Sequence, residues 1–292
     1  MKLLFSFFVI LVLSNSLLYS QRIELACFGG VSNYEGDLVP HAFDPGEFHI
    51  AYGGEIKFNC TKLLTMRGGY FHGMISGSDA RNGNAAWQLK RNLSFRSPIT
   101  EESFVLEFNL LGWRTPHFAR RFTPYAEIGM GFFKFNPQAF YNGSWVDLEP
   151  LGTEGQGLIG YPAPYNLKQF SFPYGGGVKF AFTRNLSMCY DLGFRWTMTD
   201  YLDDVSSKYV DPALIAALHG NIAADLSDRS DEIFGIVKHK PGTTRGDATH
   251  DDLYFFTGLT LNYTITHTPA ERKLTEKQMD DYGCYRFHRW MQ

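Results

Sequence analysis

Residues 185–204 read NLSMCYDLGFRWTMTDYLDD. Taken every second position, Leu186, Met188, Tyr190, Leu192, Phe194, Trp196 and Met198 are all large and apolar. The residues between them, Ser187, Cys189, Asp191, Gly193, Arg195, Thr197 and Thr199, are small or polar, and two carry charge. Period two marks a strand with two chemically different faces. The surroundings must therefore accept a long greasy face on one side and a carboxylate and a guanidinium on the other.

The pattern recurs. Phe48, Ile50, Tyr52, Ile56 and Phe58 alternate with His49, Ala51, Glu55, Lys57 and Asn59. Phe104, Leu106, Phe108 and Leu110 alternate with Ser103, Val105, Glu107 and Asn109, and Ala126, Ile128, Met130 and Phe132 with Tyr125, Glu127, Gly129 and Gly131. Further segments run from Phe170 to Phe182 and from Leu253 to Ile265, with Phe255 on the apolar side. Weaker ones at 23–31 and 64–76 bring the total to eight. The connections between them, about 16, 3, 24, 8, 34, 2 and 53 residues long, alternate long and short as in outer-membrane barrels. Several apolar faces exceed the roughly 9–11 residues that a tilted membrane strand needs.

The fold expected is all-β: an eight-stranded antiparallel transmembrane β-barrel with long extracellular loops and a short periplasmic C-terminal helix or tail. Closing the sheet leaves no unpaired backbone edge in lipid. The apolar face meets acyl chains, with Tyr52, Phe58, Phe104, Trp113, Phe122, Phe135, Phe170, Phe182 and Trp196 assigned to the aromatic girdles. The other face lines the lumen with Glu24, Glu55, Glu107, Glu127 and Asp191 against Lys57, Arg67, Lys179 and Arg195. A soluble lipocalin-like barrel would bury apolar residues around a ligand, and these nine charges in its cavity would be costly. Eight strands leave room only for side chains, so these charges are expected to cross-link rather than conduct.

Composition fits this frame. Met1-Lys2 followed by the apolar run Leu3–Leu13 reads as a signal peptide over 1–20. The barrel then occupies 21–268 and a periplasmic tail 269–292, with both termini periplasmic. Without Lys2, 26 Lys and Arg face 30 Asp and Glu, a balance with no nucleic-acid footprint. Cys27, Cys60, Cys189 and Cys284 lack metal-binding spacing. Asp200, Asp203, Asp204 and Asp211 lack the regular spacing of a calcium loop and read as turn and cap carboxylates. No cofactor or metal is expected.

There is no G-x-S-x-G elbow and no HExxH, and neither His49 nor His72 has a serine and an acid assignable beside it. The 200–252 loop carries Asp211-Pro212 and then apolar residues to Leu226, a capped helix with Pro at its first position. Arg245-Gly246-Asp247 reads as a turn. The tail opens with a T-x-x-E capping box at Thr268 and ends in CYRFHRWMQ. There Cys284, Tyr285, Arg286, Phe287, Arg289 and Trp290 supply either a partner contact or a plug folded under the barrel. Cys284 is expected to form a disulfide with a partner or with Cys60.

FGGVSNYEGDL (28–38), RNLSFRSPITEESFVLEFNLLGW (91–113), FTPYAEIGMGFFKFNPQA (122–139), LEPLGTEGQG (148–157), FPYGGGVKF (172–180) and TDYLDDVSSKYVD (199–211) resemble the PorG family. These are outer-membrane barrels of the type IX secretion system. The resemblance implies a non-enzymatic barrel in Gram-negative outer-membrane lipid that anchors or organises periplasmic secretion-ring proteins of the secretion and gliding machinery. Two rivals stand beside it: a small barrel enzyme acting on lipid, and a recognition or adhesion barrel using its long loops.

Overall fold

The computed structural model describes residues 22–39, 44–81, 86–113, 121–183, 185–233 and 238–265. The signal segment 1–20 and the tail 269–292, with its six candidate contact residues, lie outside them. In chain order the strands are β1 (Arg22–Glu35), β2 (His49–Asn59), β3 (Leu64–Ser78), β4 (Ser94–Asn109), β5 (Phe122–Lys134), β6 (Gln138–Tyr141), β7 (Ser144–Asp147), β8 (Lys168–Ala181), β9 (Leu186–Thr197) and β10 (Leu253–Ile265). Each of β1–β5 and β8–β10 pairs antiparallel with its neighbour, and β1 pairs with β10. These eight strands form a closed ring.

Ile23 lies opposite Ile265, so the barrel begins and ends at the same rim. At that rim two of the turns, β2–β3 and β8–β9, are set by threonines. Thr61 Oγ1 accepts from the amides of Leu63 and Leu64, and Thr183 Oγ1 from those of Asn185 and Leu186. This is side-chain mimicry of a backbone turn. The segments 36–48, 79–93, 135–167 and 198–252 all leave from the opposite rim, called here the loop end.

The outward face keeps its apolar side chains uncovered. Ile50 is 81% exposed, Phe170 61% and Ile128 58%. A belt of this kind around a whole sheet has no counterpart in monomeric soluble proteins and fits acyl chains. At the loop end the outward positions turn charged at Glu102 on β4, Lys134 on β5 and Lys168 on β8. From Phe122 to Phe132 along β5, a strand rise of about 3.3 Å and a tilt of about 40° give a belt roughly 25 Å tall. That matches a bilayer's apolar band.

Two assignments to the outer face need correction, and a third outward residue is not exposed. Trp113 is buried beneath the lumen, and its N donates to Lys62 O at 2.6 Å. Phe135 sits past the end of β5 in the loop-end core, 5.6 Å from Phe133 between ring centroids. Phe255 does face outward, but it is covered by the rings of Phe48 and Phe194.

The long loops have structure of their own. β6 and β7 form a hairpin over Asn142-Gly143, both with positive φ (46° and 85°), as a type I′ turn requires. The 79–93 segment holds a short helix α1 (Ala86–Arg91). The last loop holds α2 (Pro212–His219) and α3 (Asn221–Ser227). Asp211 caps α2 through the Ala213 amide at 2.9 Å, with Pro212 at its first position. The single helix predicted to run on towards Leu226 is instead broken at Gly220, whose φ of 89° ends one helix and starts the next.

Candidate functional site

Strand parity fixes where the charged side chains meet. Arg67 on β3 is the hub at the turn end of the lumen. Its Nη2 lies 2.8 Å from Glu127, and its Nη1 lies 3.2 Å from Glu107, 3.5 Å from Asp191 and 3.7 Å from Glu55. Lys57 sits 3.4 Å from Glu107 and 3.0 Å from Glu55, neither with the directionality of a hydrogen bond. Lys179 pairs with Glu107 as well. Tyr125 and Thr260 donate their hydroxyls to Asp191. The tyrosine reaches across because Gly177, opposite it on β8, carries no side chain; a Cβ there would lie 2.9 Å from its hydroxyl.

Two members of the sequence-derived set stand apart from this hub. Glu24 has no cation beside it among the described residues; it accepts from Asn59 at 2.7 Å and from Trp113 Nε1 at 3.3 Å. Trp113 thereby closes the floor of the lumen, with Lys179 Nζ 5.8 Å from its ring. Arg195 lies further up and pairs with Glu101 at 3.1 Å. Glu101, which Tyr254 also contacts at 2.6 Å, is an interior acid that the sequence reading did not single out.

Above Arg195 the interior changes character, which corrects the expectation of a lumen filled by charge alone. Phe28, Phe71 and Phe256 pack together, with centroids 5.4 Å (Phe28–Phe71) and 5.6 Å (Phe71–Phe256) apart. Arg195 lies over Phe256 at 4.8 Å. Phe95, Ile75, Ile99, Phe133 and Tyr254 continue this core to the loop end. Charge fills the half near the turns and aromatics fill the half near the loops.

The long loops close over that aromatic layer through two buried arginines. Arg91 ends α1 and grips Asp79 with two hydrogen bonds of 2.9 and 2.7 Å. It also donates to the carbonyls of Asp37 (2.8 Å) and Arg245 (2.6 Å). Arg245 donates to Glu154 at 2.8 Å and to the carbonyls of Asp204 and Ser227. Glu154 in turn accepts from the amides of Ser206 and Ser207. Residues from all four long loops thus meet at two guanidiniums, which satisfy the carbonyls that burial strips of water.

The cap also holds acids with few cations. Burial pushes Asp200 up to about 8. Burial raises Asp204 to about 6, Arg245 offsetting part of the rise. Burial and the neighbouring acids lift Asp203 and Asp252 well above the ordinary carboxylate value, and Tyr34 donates to Asp203 at 2.6 Å. Among the described residues no group of three His, Cys, Asp or Glu is placed to hold a metal ion.

Among the described residues two Ser/His/acid clusters form, and neither has the order that a hydrolytic relay requires, with imidazole between acid and serine. At the loop-end rim Ser76 is in the middle: it donates to Glu47 and lies 2.6 Å from His49 Nε2. In the last loop Asp228 is in the middle, 2.6 Å from Ser230 Oγ and 3.2 Å from His239 Nδ1. His72 bonds Thr100 at 3.1 Å. Cys27, Cys60 and Cys189 are free thiols.

A closed antiparallel ring with an apolar belt outside and a packed interior defines a membrane-spanning β-barrel of the outer-membrane type. Residues 2–226 match the family model described as "Domain of unknown function (DUF6089)", and the chain belongs to that family. No curated protein matches it. Among solved structures it is similar to Neisserial surface protein A (7% identity, 83% of this chain and 97% of that one covered, TM-score 0.41). It is also similar to the attachment invasion locus protein Ail of Yersinia pestis (8%, 85% and 100%, TM-score 0.40) and to the N-terminal barrel domain of OprF from Pseudomonas aeruginosa (11%, 84% and 97%, TM-score 0.37). The barrel itself is defined by strand order and register.

Proposed function

We propose that this barrel is a non-enzymatic anchor that organises periplasmic components of the type IX secretion and gliding machinery. The observation that carries the reading is the filled interior: Trp113, the Arg67 ion-pair hub and the Phe28–Phe71–Phe256 layer occupy successive levels of the lumen. A barrel packed in this way acts through its two ends and its outer surface. The resemblance of its motifs to the PorG family supplies the machinery. In this reading the loop end faces outward and both termini are periplasmic. The tail then contacts secretion-ring proteins through Cys284, Tyr285, Arg286, Phe287, Arg289 and Trp290, with Cys284 available for an intermolecular disulfide.

The test is cross-linked affinity capture from detergent-solubilised outer membranes, run on the full chain, on a deletion of 269–292 and on a deletion of 200–252. The expected outcome is that a periplasmic partner and protein secretion are both lost with the tail alone. Secretion that survives tail removal and fails with loop removal would instead favour recognition through the loops. The nearness of Glu47, Ser76 and His49 is the one observation that favours a lipid enzyme. Ser76→Ala is expected to leave outer-membrane lipid composition unchanged, because the serine clips the 44–49 segment onto β3.

A further inference from the structure

Lys134 ends β5 and Lys168 begins β8, and the register places them directly opposite each other on neighbouring strands. Both face outward and both are exposed. One outward step below them, on the membrane side, stand Phe132 and Phe170, likewise opposite each other and 5.5 Å apart between ring centroids. Like charges directly across a sheet destabilise it, and neither ammonium has an acidic partner among the described residues. Glu102, the nearest outward acid along β4, lies opposite Phe132; Lys134 itself lies opposite Thr100. The arrangement is therefore two unpaired cations over an aromatic pair, at the border where the outer face passes from apolar to charged.

We propose that Lys134 and Lys168 bind the phosphate of a membrane lipid headgroup while Phe132 and Phe170 pack against its acyl chains. A phosphate between two ammoniums removes their repulsion and adds two charge-assisted hydrogen bonds. The rings below select an amphiphile over free phosphate, because only a lipid fills both halves of the site. The proposal rests on the barrel's position in the membrane and not on the secretion reading.

Native mass spectrometry of the detergent-solubilised full chain tests it, with bisphosphorylated lipid A and its dephosphorylated form as probes. The wild type is expected to retain the phosphorylated lipid at least about tenfold better, and Lys134→Gln/Lys168→Gln to lose that preference. Lys62→Gln removes an exposed lysine at the opposite rim and is expected to retain it. Heat-modifiable gel mobility reports folding. If the double variant fails to fold, Lys168→Glu replaces it; this change converts the like-charge pair into an ion pair, and is expected to fold and to lose the lipid. Equal retention of both lipids, an undiminished adduct in the folded variants, or displacement by inorganic phosphate at the lipid's concentration would overturn the proposal.

Discussion

Arg67 shows what a single residue does in this interior. Four carboxylates surround one guanidinium, and two of them, Glu127 and Asp191, have no other ion-pair partner among the described residues. Arg67→Met keeps much of the volume and removes the charge, so it is expected to cost about 3–5 kcal/mol, the range for breaking a buried pair. Urea unfolding in detergent micelles measures the loss. Removing the exposed Lys62 side chain at the turn rim should leave the midpoint unmoved. At this scale the sequence was informative wherever parity was clean: Glu55, Lys57, Arg67, Glu107, Glu127, Lys179 and Asp191 all point inward because their strands alternate without a break. Glu101 escaped notice because the stretch above Phe104 on β4 has no apolar partner face to set the parity. The Tyr254-Phe255-Phe256 run hid two interior aromatics, since three rings in a row erase alternation. Trp113 and Phe135 were misplaced for a related reason: they follow strand ends, and period two says nothing once the chain turns.

Among the elements, the cap is the part that responds to pH. Asp200 and Asp204, at about 8 and about 6, hold their protons more tightly in the closed cap than in an open one, where a carboxyl keeps its ordinary value near 3.8. A raised value of this kind stabilises the closed form most below that ordinary value and loses the contribution as pH rises through the folded one. Asp228, held low despite its burial by Ser230 and His239, stays ionised over the same range and does not reverse the trend. Hydrogen exchange of residues 199–206, corrected for intrinsic rates, should therefore show stronger protection at pH 5.5 than at pH 8.5. Asp200→Asn should flatten the difference; equal protection at both values would remove the argument. Element by element, the eight strands were legible from alternation and the Asp211 cap from its residues. The β6–β7 hairpin was missed although Asn142-Gly143 is a strong hairpin signal, because it lies inside a loop already explained as a connection. The break at Gly220 was missed because apolar residues continue on both sides of it.

For the whole molecule, side chains occupy successive levels of the barrel interior, so the reconstituted chain should show no steady conductance in planar bilayers. A stable channel current would mean that the Arg67 hub or the aromatic layer opens. The overall architecture could be read from the sequence because hydrocarbon imposes its demand on every strand at once. The division of the interior could not, because it depends on which strands face one another at each height. The joining of four loops by Arg91 and Arg245 could not either, since those residues stand 154 positions apart and carry no local pattern. The claim beneath all of this is that hydrocarbon surrounds the closed ring of strands. The most direct measurement compares unheated and boiled samples of the chain, refolded into detergent, on a denaturing gel. A compact, faster band that disappears on boiling is the result expected; a single mobility, from a protein that also stays dissolved in buffer without detergent, would contradict it.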